Sequence, residues 1–154
     1  MIRHSTIEDI PSLITLSEES GLFPPDHLGA LCEMLNEFFE VDEEQERFWL
    51  TDEEGGTVGV VFCEPELMTA GTWNLRLIAV APDLQGTGRG GQLLAHVEDY
   101  LRSKHARLLI VDTSGTADFA PVRAFYAKYG YTEESRIRDF FDEGDDKVTF
   151  SKHL

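Results

Sequence analysis

Val80-Ala81-Pro82-Asp83-Leu84-Gln85-Gly86-Thr87-Gly88-Arg89-Gly90-Gly91-Gln92-Leu93-Leu94 joins three kinds of sequence. Apolar strand residues lead in, glycines follow, and an amphipathic helix leads out. Four glycines fall within six residues, at 86, 88, 90 and 91, so the backbone there carries almost no side-chain bulk. Its N–H groups can face outward at the start of the helix. Those groups lack intrahelical partners, and the helix dipole adds partial positive charge beside them. Such a turn is an anion site, most often for phosphate. The first implication is a protein that holds a phosphorylated cofactor.

The chain has 154 residues, which predicts one domain spanning 1–154. A hydrophobic content of 42% is enough for a real core. Thirteen basic against 29 acidic residues leave a net charge of −16. That balance argues against a nucleic-acid partner, because phosphate neutralisation needs Lys and Arg. An acidic surface favours a cationic substrate through the protein's field. Solubility, or a salty habitat, explains the same charge. Cys32 and Cys63 lie far apart with no metal-ligand spacing, which suits a reducing cytoplasm and predicts no disulfide. Cys63, in Val60-Val61-Phe62-Cys63, reads as a small core residue. No basic segment followed by a long apolar one opens the sequence, so no signal peptide is predicted. No apolar run approaches the roughly 20 residues that span a bilayer, so no membrane partner is predicted.

Working outward, Trp73 to Val80 is the strand that feeds the turn. Leu93, Leu94, Val97 and Leu101 form the buried face of the helix that leaves it. Glu98 and Arg102 make an i,i+4 pair on the other face, and Lys104 and His105 suit the helix C-terminus. Leu108 to Val111 is a continuous apolar run, as for a strand covered on both faces. Pro121 opens a helix whose stripe is Val122, Phe125, Tyr126 and Tyr129, and Gly130 closes it. Two strands follow, 136–141 and 147–154, joined across the acidic residues 142–146.

Upstream, Ile2-Arg3-His4 is a first strand. Thr6 caps a helix with Glu8 and Asp9 in its first turn and Ile10, Leu13, Ile14 and Leu16 on its apolar face. Gly21 and Pro24-Pro25 break it. A second helix carries Leu28, Leu31, Leu35, Phe38 and Phe39, and the acidic run 40–46 reads as solvated. Phe48 to Leu50 and Val58 to Phe62 flank Glu54-Gly55-Gly56 as a hairpin.

Gly86-x-Gly88-x-x-Gly91, with Asp112 some 20 residues on, formally matches a dinucleotide fingerprint. Against it, Ala81 to Gln85 separate strand from glycine, and too few residues flank the unit for a six-stranded doubly wound sheet. A P-loop is excluded, because no Gly-Lys-Ser/Thr follows the turn. The other reading uses more residues. Gln85-Gly86-Thr87-Gly88-Arg89-Gly90, after Ile78-Ala79-Val80-Ala81-Pro82, matches Arg/Gln-x-x-Gly-x-Gly/Ala. Downstream, Phe125-Tyr126-Ala127-Lys128-Tyr129-Gly130-Tyr131 matches Phe-Tyr-x-Lys-x-Gly-Phe/Tyr. In both motifs and their order the chain resembles the GNAT superfamily of acyl-CoA-dependent N-acetyltransferases.

The resemblance implies an α/β fold with a twisted, mixed, mainly antiparallel sheet of about seven strands and helices on both faces. It implies attack of a primary amine, from a small molecule or a peptide, on acetyl-CoA. Homodimers are frequent in that family. The turn Gln85, Gly86, Thr87, Gly88, Arg89, Gly90 and Gly91 would hold the pyrophosphate through backbone donors. Arg89 either adds charge there or points into solvent. The amide-like pantetheine arm would pair with the backbone edge of Ile78, Ala79 and Val80, as strand pairs with strand. Tyr126 would protonate the departing thiolate.

An alkyl ammonium near pKa 10.4 is neutral in roughly one molecule of a few thousand at pH 7. A general base therefore helps. The carboxylates in reach of that role are Glu64, Glu66, Asp112 and Asp118, with Asp112 ranked first as the end of a buried strand beside the turn. The five histidines form no constellation for a metal or a nucleophilic triad. The chain departs from the family pattern at Phe119, where many members have Asn, and at Val122, where Ala is frequent. It also has Asn74 where some members carry a catalytic Glu. A non-catalytic acyl-CoA-binding module of the same fold stays open on those departures.

Overall fold

The computed structural model describes residues 1–23, 25–40 and 46–154. Its strands are β1 (Ile2–His4), β2 (Phe48–Glu53), β3 (Thr57–Pro65), β4 (Thr72–Val80), β5 (Leu108–Ser114), β6 (Thr132–Asp142) and β7 (Asp145–His153). Its helices are α1 (Ile10–Glu19), α2 (Leu28–Glu40), α3 (Arg89–Ser103) and α4 (Ala120–Lys128). The seven strands form one sheet in the order β1-β2-β3-β4-β5-β7-β6. β1–β2, β2–β3, β5–β7 and β6–β7 pair antiparallel, whereas β4 and β5 pair in parallel over Thr72–Asn74. The fold is therefore the mixed, mostly antiparallel one expected, not the parallel doubly wound sheet of a dinucleotide-binding protein. Among the described residues no helix is long and apolar enough to cross a membrane.

The chain divides into two compact units, Met1–Glu64 with Leu77–Val97, and Pro65–Arg76 with Glu98–Leu154. In the first, the apolar positions read at helical spacing do meet. Leu13, Leu16, Leu31 and Leu35 cluster with Trp49, Val60, Phe62, Leu77 and Ala79. Trp49 and Phe62 stack across the β2–β3 hairpin at 4.4 Å. Gly59 on β3 is required by close approach, since a Cβ there would lie 2.8 Å from Leu93 Cδ1 and 3.0 Å from Asp52 Cβ. The start of α1 differs from expectation. Thr6 precedes a short 3-10 turn, and α1 begins at Ile10. Glu8 and Asp9 fall in that 3-10 turn, which Thr6 caps. Asp9 is buried and accepts two hydrogen bonds from Arg3, at 2.7 and 2.8 Å, plus one from the Thr6 N–H. Burial of a carboxylate is tolerable only with such pairing. The Pro24 half of the expected helix breaker and residues 41–45 of the acidic run lie outside the described residues.

In the second unit β5 is less covered than a fully buried strand. Leu109 and Val111 are buried, but Leu108 and Ile110 only half so. Within α4, Tyr126 is buried while Val122, Phe125 and Tyr129 are half-buried. Glu98 pairs with Arg102 at 3.7 Å, as expected, but it is only 6% exposed. It accepts hydrogen bonds from Lys152 Nζ at 2.9 and 3.1 Å and from the Tyr131 hydroxyl at 2.9 Å. Both partners come from far along the chain, which no helical wheel can reveal. The tail strands are longer than predicted, and the turn between them shrinks to Glu143-Gly144. Asp146, read as loop, pairs with Arg136 at 2.9 Å and accepts the Asp139 N–H at 3.0 Å, so the acidic run is held as ladder.

Candidate functional site

Within the first unit, β4 ends at Val80 and a short 3-10 turn, Pro82–Leu84, follows. The Gln85 side chain reaches back to donate to the Val80 carbonyl at 3.1 Å, and the Thr87 hydroxyl donates to the Leu84 carbonyl at 2.5 Å. These two bonds fix the loop from its own side chains. Gly86 and Gly88 have φ of +76° and +89°, left-handed values that favour glycine. A Cβ at either would meet nothing within 4 Å, so the turn opens outward. Arg89 is the first residue of α3, and the Gln92 N–H bonds the Gly88 carbonyl at 3.1 Å. The N–H groups of Arg89, Gly90 and Gly91 precede that bond and have no intrahelical acceptor. Gly90 and Gly91 thus belong to the first helical turn. Three donors and the dipole of a 15-residue helix face one open cradle.

Arg89 does neither of the things the sequence left open. Its side chain is 17% exposed and donates from Nε to Asp52 at 2.6 Å, with Glu54 on Nη1. Burial works against the Asp52 charge, but the bonds from Arg89 and from the Met1 ammonium together outweigh it and hold the carboxyl below the usual carboxylate range. The guanidinium is thus spent on β2 and on the turn that follows it. Arg89 offers an anion its backbone N–H. Ile78, Ala79 and Val80 lie on β4 beyond the stretch that pairs with β5. Ile78 is half-buried, and Ala79 and Val80 are buried.

In the second unit Tyr126 is 3% exposed, ringed by Phe125, Tyr131 and Phe150 with centroids 5.3, 5.8 and 5.7 Å away. Its hydroxyl has no hydrogen-bond partner among the described residues. Burial pushes that hydroxyl above the usual phenol range, so it stays protonated at neutral pH. Arg123 of α4 donates to the carbonyls of Ser114 and Thr116, both at 2.8 Å, and so ties the helix to the end of β5. Phe119, at the position where Asn was noted, precedes α4 and offers no polar group.

Asp112 is corrected in place. It lies within β5, two residues short of the end at Ser114, opposite Thr149. Its Oδ1 accepts the Thr149 hydroxyl at 2.6 Å. Asp118 lies in a 3-10 turn before α4. Glu66 follows β3 and meets the Asn74 amide. Cys63 is fully buried, as read. Among the described residues no three His, Cys, Asp or Glu side chains are grouped as metal ligands. The structure thus gathers 78–80 and 85–91 in one unit, and holds Tyr126 and Asp112 in the other.

Two relationships escaped the sequence. One is Asp52 under Arg89, 37 residues apart. The other is Asn74, noted only as a missing Glu. It is 1% exposed, its Nδ2 donates to Glu66 at 2.8 Å, and its Oδ1 is buried with no partner among the described residues. No local signal in the sequence pairs 66 with 74.

The model of the acetyltransferase (GNAT) domain matches residues 44–133. The chain is 32% identical over 124 residues to an amino-acid acetyltransferase of Ectopseudomonas mendocina (strain ymp), a match covering 80% of this chain and 27% of that protein. The chain therefore spans about a quarter of the length of the curated relatives it matches. A GNAT-family protein from Desulfovibrio desulfuricans superposes with a TM-score of 0.92 at 30% identity, covering 99% of this chain and 98% of that one. A PaiA N-acetyltransferase from Thermoplasma acidophilum, solved in complex with coenzyme A, gives 0.76 at 19% identity, over 100% of this chain and 98% of that one. At that identity the likeness concerns fold alone.

Proposed function

The chain belongs to the GNAT acetyltransferase family, which uses acetyl-CoA, and from that membership we propose that it transfers an acetyl group from acetyl-CoA to a primary amine. The observation that carries this reading is the open turn at the start of α3. Gly86 and Gly88 are left-handed with free space where a Cβ would stand, and three N–H groups of the first helical turn have no intrahelical acceptor. A pyrophosphate fits that donor set, because its charge lies against N–H groups and a helix N-terminus. In this reading Gln85, Gly86, Thr87, Gly88, Arg89, Gly90 and Gly91 contribute backbone, and the β4 edge at Ile78, Ala79 and Val80 pairs with the amide groups of the pantetheine.

Bound acetyl-CoA supplies the electrophile, the thioester carbonyl. Tyr126 holds a proton on a hydroxyl that burial keeps un-ionised, and it gives that proton to the leaving sulfur. The acceptor is an amino acid α-amine in our reading, supported by the name of the Ectopseudomonas relative and by a net charge of −16 that favours cations. We read residues 1–154 as one catalytic domain acting in the cytoplasm, a reading that the two free cysteines support. The test is acceptor-dependent release of CoA thiol from acetyl-CoA, with the proteinogenic amino acids and simple alkylamines as acceptors. Release with at least one amine is the expected result. Thiol release that ignores every amine contradicts transfer and favours a binding module.

A further inference from the structure

We propose that the free edge of β6 pairs antiparallel with the same edge of a second copy of this chain, around a two-fold axis at Arg136. β6 ends the strand order, so β7 covers one of its edges and no strand covers the other. An unpaired edge presents a row of backbone donors and acceptors to any incoming strand. Every residue of β6, Thr132–Asp142, is exposed, so neither face of the strand is covered. Three large apolar side chains, Ile137, Phe140 and Phe141, stand about half-exposed on it.

The charges point to the occupant. The chain carries −16, so two copies repel over most of their surfaces. The stretch 132–138 differs. Glu133 and Glu134 precede Arg136 and Arg138, and the four charges cancel. Acid leads and base follows, so the stretch complements itself when a second copy runs antiparallel to it. Charges of one sign would instead set like against like and repel the second copy.

The register follows from β7. Glu133 lies opposite Phe150 and Arg136 opposite Val148, two residues apart, so both share one face of the sheet. Glu134, at the register shift between them, is the extra residue, and its carboxylate accepts the Ser151 hydroxyl at 2.7 Å. Arg138, two beyond Arg136, lies on the same face by strand alternation. Glu133 and Arg138 therefore stand at equal ladder steps either side of Arg136. A two-fold axis at Arg136 sets Glu133 of each copy opposite Arg138 of the other. Neither Glu133 nor Arg138 has a hydrogen-bond or ion-pair partner among the described residues. The two Arg136 guanidiniums that meet at the axis are each paired with their own Asp146 at 2.9 Å. On the other face Ser135 meets Ile137 of the second copy. Pairing stops at Asp139, whose φ of +54° turns the strand.

Sedimentation velocity of the full chain tests this, in about 0.15 M salt, where repulsion between the net charges is screened beyond about 8 Å. A ladder of this length is a small interface, so the dimer should form with a dissociation constant of about 10 μM. Glu133→Arg sets Arg against Arg at both ends, and Arg138→Glu sets Glu against Glu. Each should raise the dissociation constant by about 10-fold or more. An equimolar mixture of the two variants should dimerise as wild type does, because every Arg then faces a Glu. That recovery also shows both variants to be folded. Wild-type protein that stays monomeric at about 100 μM overturns the proposal and leaves the edge to a strand of a different protein. So does a dimer that either variant forms as readily as wild type. A mixture that stays as dissociated as its two components overturns the pairing as well.

Discussion

Arg89, the first residue of α3, donates its Nε–H to Asp52 at 2.6 Å, and Asp52 is 2% exposed. The one basic side chain of the glycine turn is therefore anchored inward. The anion affinity we propose for the turn therefore falls to backbone donors and the helix dipole. Arg89→Ala should cost about 1–3 kcal/mol of stability, because it leaves buried Asp52 only the exposed Met1 ammonium as a charged partner. Titration calorimetry on the folded variant should find acetyl-CoA affinity nearly unchanged. A large loss of affinity in folded protein would mean that the guanidinium itself touches phosphate.

The glycines of the turn should tolerate loss of neighbouring side chains but not gain of their own. Thr87→Ala loses the bond to the Leu84 carbonyl and should cost about 1 kcal/mol in urea unfolding, with little change in acetyl-CoA affinity. Gly88→Val places a β-branched residue at φ +89° and sets methyl groups in the open cradle. It should fold with a loss of roughly 1–2 kcal/mol and no longer bind acetyl-CoA. A folded Gly88→Val protein with normal affinity removes the turn from the binding site.

Tyr126→Phe separates catalysis from packing. The hydroxyl has no partner among the described residues, so its removal should leave stability unchanged or slightly raised. Turnover should fall by about 10²-fold with acetyl-CoA affinity intact. Unchanged kcat returns Tyr126 to the aromatic cluster with Tyr131 and Phe150.

Asp9 gives a pH prediction far from the site. The Arg3 hydrogen bond lowers its carboxyl from 3.8 to about 2. A depressed acid stabilises the fold above its unfolded value and loses that contribution as pH falls through the folded one. The contribution is about 2 kcal/mol above pH 4 and fades between about pH 4 and 2. Urea unfolding of wild type and Asp9→Asn should therefore differ by that amount at pH 5 and converge toward pH 2. A pH-independent difference would show that the Arg3 pair does not carry it.

What the sequence made legible follows from the range of its signals. Periodicity and turn chemistry act within a few residues. They suffice for Leu93, Leu94, Val97 and Leu101 as a buried face, for the 54–56 hairpin, and for Gly130 as a helix stop. The Gln85–Gly91 and Phe125–Tyr131 motifs are likewise local, and so carried the family. Long-range pairings are invisible to such signals. Glu98 meets Lys152 across 54 residues, Arg89 meets Asp52 across 37, and Arg136 reaches Asp146 only once the tail strands are in register. Asp112 was misplaced because strand ends are set by pairing partners, here Val148 and Lys147, which hold β5 in ladder out to Ser114. The bond from Asn74 to Glu66 was missed because the two meet across a turn whose register the sequence does not state.

In our proposal the turn at the start of α3 holds acetyl-CoA. A melting curve tests it without any knowledge of the acceptor. Ligand at 100 times its dissociation constant stabilises the folded state by about 2.7 kcal/mol. For a chain of this size that raises the melting temperature by about 5 °C or more. Acetyl-CoA and CoA should both produce such a rise, because the same donors meet the same pyrophosphate, and NAD should not. A clear rise with NAD and none with acetyl-CoA would contradict the account.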